Sequence, residues 1–184
     1  VEEPEMIKIL TGFVVALVLI GVAAWNFAGA MMFNEIESPF GVEETAARIQ
    51  RNIQETPGWV LSGLRNPTRA VQSTGGNVLP TLLVETCNTK YSQPLLKDDN
   101  TRILSILMPC TITVYKKDDG KTYIGKMNAG LMGKLFGSKV AEIMEGVAAD
   151  QEKFISFDPD KPAPPLVRIQ AGGGGKGGGP AGGC

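Results

Sequence analysis

Histidine is absent from the 184-residue chain. That removes Ser-His-Asp and Cys-His nucleophilic catalysis, His-ligated zinc and ordinary histidine ligation of haem. It also removes covalent haem attachment through Cys-x-x-Cys-His. Cysteine is scarce, at three residues. An excess of positive charge is lacking too. Eighteen basic and 19 acidic side chains leave a net charge of −1, whereas phosphate binding needs a basic face. Nucleic acid is therefore not expected as a partner. What the chain has in quantity is glycine, at 23 residues, with 12 prolines.

Neither the charge nor the glycine is evenly spread. From Ile9 to Asn34 the sequence ILTGFVVALVLIGVAAWNFAGAMMFN carries no charge over 26 residues. As a helix it would be about 39 Å long, enough to cross a hydrocarbon core of about 30 Å with some tilt. Trp25 stands toward its downstream end, where an amphipathic ring suits the headgroup level. A secretory signal would start with basic residues and have a shorter core. This run instead follows Val-Glu-Glu-Pro-Glu. The expectation is a single transmembrane helix over 9–34 after a short tail, 1–8. Gly12 with Ala16 and Ala24 with Ala28 form small-xxx-small pairs, candidates for seating a neighbouring helix. Lys8 is the nearest positive charge, so the positive-inside rule puts residues 1–8 in the cytoplasm. The rest would lie in the periplasm if the source is bacterial.

Residues 35–157 hold 14 basic and 14 acidic side chains and can bury one small core. Phe33 to Glu37 reads as a strand leaving the membrane. Val42, Ala46, Ile49 and Ile53 follow helical spacing, with Glu43 and Glu44 in the first turn and Pro57-Gly58 as the stop. Trp59 to Leu61 reads as a short strand, and 65–80 as a loop with one helical turn. Thr81 to Cys87 has strand length, and Asn88 is placed to cap a helix over Lys90 to Lys97. Met108 to Tyr115 and Lys121 to Met127 form a hairpin around Asp118-Asp119-Gly120. Its second strand puts Thr122, Ile124 and Lys126 on one face and Tyr123 and Met127 on the other. Leu131 to Phe154 reads as mainly helical, with Val140, Ile143, Met144, Val147 and Ala148 as its apolar stripe. This order predicts an α+β domain with helices against a mainly antiparallel sheet. Residues 158–184 form a Pro/Gly-rich tail, stiff over 158–165 and holding nine glycines between Ala171 and Cys184. Such a composition cannot offset its own ordering entropy, so a partner is expected to hold it.

Several motifs carry a resemblance. The strand Met108-Pro-Cys110-Thr-Ile-Thr-Val-Tyr-Lys116 is similar to that of the domain-of-unknown-function family 302. So are the return at 118–124, the stretch Met127 to Phe136, the helix start Val42-Glu43-Glu44-Thr45, Gly58, and the strand end Glu85-Thr86-Cys87-Asn88. The resemblance spans roughly residues 33–157. It implies a TATA-binding-protein-like α+β sheet and no established catalytic activity. The anchor and the Gly-rich tail depart from simpler members.

Three readings stand open for Cys87 and Cys110. They are small buried apolar residues, a disulfide closing a 24-residue loop worth roughly 3 kcal/mol, or a reactive or ligand-binding thiol site. Met108, Cys110, Met127 and Met132 are of the ligand type that suits Cu(I). No tight spacing recurs among them and packing is the simpler account, so no metal and no cofactor is assigned. No catalytic residues are assigned either, since no acid–base pair can be placed. The expected function is a non-catalytic, single-span accessory subunit of a bacterial inner-membrane complex, with electron transfer as its setting. Its partners would be other membrane subunits and the bilayer. The alternative is a membrane-tethered periplasmic ligand-binding or thiol-redox module using Cys87 and Cys110.

Overall fold

The structure is a computed structural model that describes residues 3–168. The glycine-rich stretch 171–184, with Cys184, lies outside the described residues.

Helix α1 runs from Glu3 to Met31. Its segment Met6–Met31 is long and apolar enough to cross a membrane, and none of it is buried against the other described residues. Two of its polar side chains bond to their own helix: Thr11 Oγ1 donates to the Ile7 carbonyl at 2.8 Å and Asn26 Nδ2 to the Val22 carbonyl at 2.7 Å. Such back-bonding lowers the cost of placing them in hydrocarbon. Only Met32 separates α1 from strand β1, Phe33–Ser38. The junction is clamped by Asn128, whose backbone N–H donates to the Met32 carbonyl at 2.8 Å and whose Nδ2 donates to the Met31 carbonyl at 3.1 Å.

The remaining elements are α2 (Val42–Glu55), β2 (Val60–Arg65), α3 (Pro67–Ser73), β3 (Thr81–Cys87), α4 (Thr89–Lys97), a 3-10 turn (Arg102–Leu107), β4 (Cys110–Lys116), β5 (Thr122–Met127), α5 (Ala129–Lys134) and α6 (Ser138–Ile155). The five strands make one antiparallel sheet in the order β1-β5-β4-β3-β2. Alternation decides which side chains enter the core. Leu82 and Val84 of β3, Ile112 and Val114 of β4 and Ile124 of β5 meet Ala46, Ile49 and Ile53 of α2 and Val140, Met144, Val147 and Phe154 of α6. Lys126 shares the Ile124 face, as its spacing predicts. It is buried, and its ammonium reaches Glu152 on α6 at 2.8 Å.

Strand β3 has the predicted bounds, and Asn88 caps α4 by accepting from the Lys90 N–H. The α+β class and antiparallel sheet hold. Two expectations are corrected. The 65–80 loop contains α3, a seven-residue helix started by Asn66 as cap and Pro67 at the first position. The single helix over 131–154 is two helices. Gly137, at φ 93°, breaks the chain between α5 and α6, and α6 folds back over α5. The approach is close because Gly133 has no side chain. A Cβ there would stand 2.6 Å from Met144 Cβ and 3.0 Å from Ala141 Cα.

The stiff segment from Asp158 to Arg168 is a strap along α2. Buried Gln50 pairs with Val167 as a strand would: Nε2 donates to its carbonyl at 2.8 Å and Oε1 accepts from its N–H at 2.9 Å. Arg48 donates to the Asp158 carbonyl at 3.0 Å and stacks over Phe40 at 3.9 Å.

Candidate functional site: a sulfur-lined cavity

Helices α4, α5 and α6 and the 3-10 turn do not close completely on the sheet. Between them lies a partly enclosed, largely apolar cavity of about 40 Å³. Cys87 reaches it from the end of β3, Cys110 from the start of β4, Met108 from the residues before β4, Met127 from the end of β5, Met132 from α5 and Met144 from α6. These are all the methionines and cysteines between residues 33 and 168. Six sulfurs scattered over 58 residues of sequence thus converge on one void.

Cys110 is a free thiol, so the Cys87–Cys110 disulfide is not formed. Across the sheet Cys110 is paired with Thr86 on β3, and Cys87 with Val60 on β2. Burial pushes the Cys110 thiol up to about 11. It is therefore protonated at neutral pH and a poor nucleophile as it stands. Cys110 and Met127, with Leu107, also line an open cleft on the neighbouring surface. These three residues are shared by the cavity and the cleft.

The cavity's polar neighbour is a hub on Asp150, which sequence reasoning missed. Its carboxylate accepts from Trp59 Nε1 at 2.9 Å and Tyr91 Oη at 3.0 Å on one oxygen, and from Lys153 Nζ at 2.6 Å on the other. Burial alone would raise this carboxyl. The bonds from Lys153, Trp59 and Tyr91 outweigh it and hold Asp150 below the ordinary carboxylate range. Trp59 stacks edge-on against Phe154 at 5.0 Å, so the hub fixes one wall of the cavity. An aspartate on a helical pattern opposite an apolar stripe reads as solvent-facing. Only the fold brings Trp59, 91 residues away, to it.

A second group of titratable residues lies around Glu35. Tyr115 donates to Glu35, which also pairs with Lys117. Burial first, then Glu35, pushes the Tyr115 phenol up to about 12, while the hydrogen bond from Lys117, then that from Tyr115, lowers the Glu35 carboxyl. Both move away from neutrality, the wrong direction for acid–base exchange near pH 7. Among the described residues, no three His, Cys, Asp or Glu side chains are grouped to hold a metal. Any ligand set must therefore draw on the methionines. A Cβ at Gly12 would meet no atom of the neighbouring described residues within 4 Å, and the Gly12/Ala16 and Ala24/Ala28 pairs lie on exposed helix surface.

The family model "Domain of unknown function DUF302" matches residues 34–156. Among solved structures, the chain is similar to an uncharacterized conserved DUF302 protein from Bacillus stearothermophilus, with TM-score 0.60 and 20% identity. That likeness covers 68% of this chain and 96% of the other. No curated protein matches the chain. With two thirds of its length under the family model, sheet and cavity included, the chain belongs to the DUF302 family.

Proposed function

We propose that the protein is a non-catalytic, single-span accessory subunit of a bacterial inner-membrane complex, its domain on the periplasmic side. The observation that carries this reading is the junction at Met32. An apolar helix that no other described residue buries passes into β1 through one residue, and Asn128 holds the turn. Such a helix has lipid or partner helices as its only surroundings.

Connectivity supports one end of the domain as the one facing the membrane. Phe33 starts β1 opposite Met127, so the end of β5, α5 and the segment before β4 lie at the same end of the sheet as the helix exit. That end carries exposed Phe33, Ile103, Ile106, Leu135 and Phe136, with Ile106 80% exposed. A soluble surface rarely gathers such residues, and a partner subunit beside the span would cover them. Lys8 supports the orientation. An electron-transfer complex is the setting we assign, and a TATA-binding-protein-like sheet the fold type. The thiol-cycling alternative loses support, since it needs Cys87 and Cys110 as a pair and Cys110 is free.

The test is extraction of the intact chain from its native membrane in mild detergent. A defined stoichiometric complex is expected, weakened when Gly12 and Ala16 are both replaced by Leu or when Ile106 becomes Asp. Recovery of a lone monomer under several detergents would refute the reading.

A further inference from the structure

We infer that Cys110, Met108, Met127 and Met132 form a binding site for one soft monovalent metal ion of the Cu(I) type in the cavity between the sheet and α5–α6. The inference is independent of what the span docks against.

Methionine ordinarily fills irregular gaps in a core. Here all four methionines of the domain meet, and a void of about 40 Å³ survives among them, where gap-fillers should have closed it. Elsewhere the core is built mainly of Ala, Ile, Val, Leu and Phe. Volume, donor type and charge then select the guest. The void admits an ion or a water or two, and its walls are apolar, so water gains little there. The sulfurs are soft donors, matched to Cu(I) and not to Mg, Ca or Mn. No carboxylate lines the cavity. One thiolate and neutral thioethers cancel a single positive charge, whereas a divalent ion would leave an uncompensated charge in an apolar site. On binding, the Cys110 S–H bond breaks, its proton leaves to solvent and a sulfur–metal bond forms. The metal arrives and stays in the +1 state, so no oxidant or reductant is required. An entry path exists, because Cys110 and Met127 also border the open cleft.

The experiment uses the intact chain in detergent micelles, reduced and anaerobic, with Trp25→Phe so that cavity-lining Trp59 is the sole tryptophan. Cu(I) is supplied as its acetonitrile complex against a chromogenic chelator. One equivalent should bind and quench Trp59. The double variant Met127→Leu/Met132→Leu conserves volume and should fold. It should lose at least tenfold in affinity, and Cys110→Ser should abolish the quench. Zn(II) should not displace Cu(I). Parent affinity and quench retained in the folded leucine variant would overturn the site, as would an absent quench in the parent. Should Cys110→Ser fail to fold, the leucine variant decides alone.

Discussion

Removing the Asp150 carboxylate should be among the most damaging single changes in the domain. In Asp150→Ala, Trp59 Nε1 loses its acceptor, and Trp59 is 5% exposed, so water cannot replace it. An unsatisfied buried donor costs about 1–3 kcal/mol. Tyr91 loses a second bond, but it is half-buried and its hydroxyl can partly rehydrate. Lys153 is exposed, and its ion pair adds little. The sum is about 2–4 kcal/mol for Ala. Asparagine keeps an acceptor but not the charge, and should cost about 1–2 kcal/mol. At roughly 3–5 °C per kcal/mol for a domain of this size, Asp150→Ala lowers the melting midpoint by about 6–20 °C. The assay is thermal and urea unfolding of the intact chain in micelles, in a Trp25→Phe background so that near-UV circular dichroism reports Trp59 as the sole tryptophan. The pH dependence is a second readout. Asp150 sits below its ordinary range in the fold, so its contribution is complete above the unfolded value near 3.9 and drains as pH falls through the folded one. Asp150→Asn should flatten that acid limb. An Asp150→Ala protein within about 0.5 kcal/mol of the parent would refute the reasoning.

Three further outcomes are expected. Gly133→Ala places a Cβ 2.6 Å from Met144 Cβ, so α5 must lift from α6; a loss of about 1–3 kcal/mol in urea unfolding is expected, and an unchanged midpoint would show that the crossing is slack. Gln50→Ala removes both bonds to Val167, worth about 1–3 kcal/mol, and should speed tryptic cleavage after Arg168 by roughly 5- to 100-fold while the sheet stays intact. Cys110, with its thiol near 11, should resist iodoacetamide at pH 8 in the folded chain and label rapidly on unfolding, as read by peptide mass mapping; fast labelling of the folded protein would contradict its burial.

Much of the fold is local enough to be legible in the chain. The bounds of β3, the Asn88 cap, the Asp118-Asp119-Gly120 hairpin and the Lys126 face all follow from period, cap chemistry or turn chemistry, which act within a few residues. The break at Gly137 was not legible, because a helical apolar stripe runs on past it and only the packing of α6 back on α5 reveals the fold-back. The Pro-rich strap was legible as extended, but its seat on Gln50 was not, since the two are 117 residues apart.

The same division applies to the candidate site. Sequence alone determined that no histidine chemistry is available, that one segment is apolar enough to span a bilayer, and that the soft donors are Cys and Met. It could not bring Met108, Cys110, Met127 and Met132 together, because sulfur ligands spread over β4 and its approach, β5 and α5 leave no spacing signature. Nor could it separate Cys87 from Cys110, since pairing depends on strand register. Tertiary structure decided both. Register sets Cys110 opposite Thr86, and the fold of α5 on α6 brings the methionines together around a space that the core leaves open.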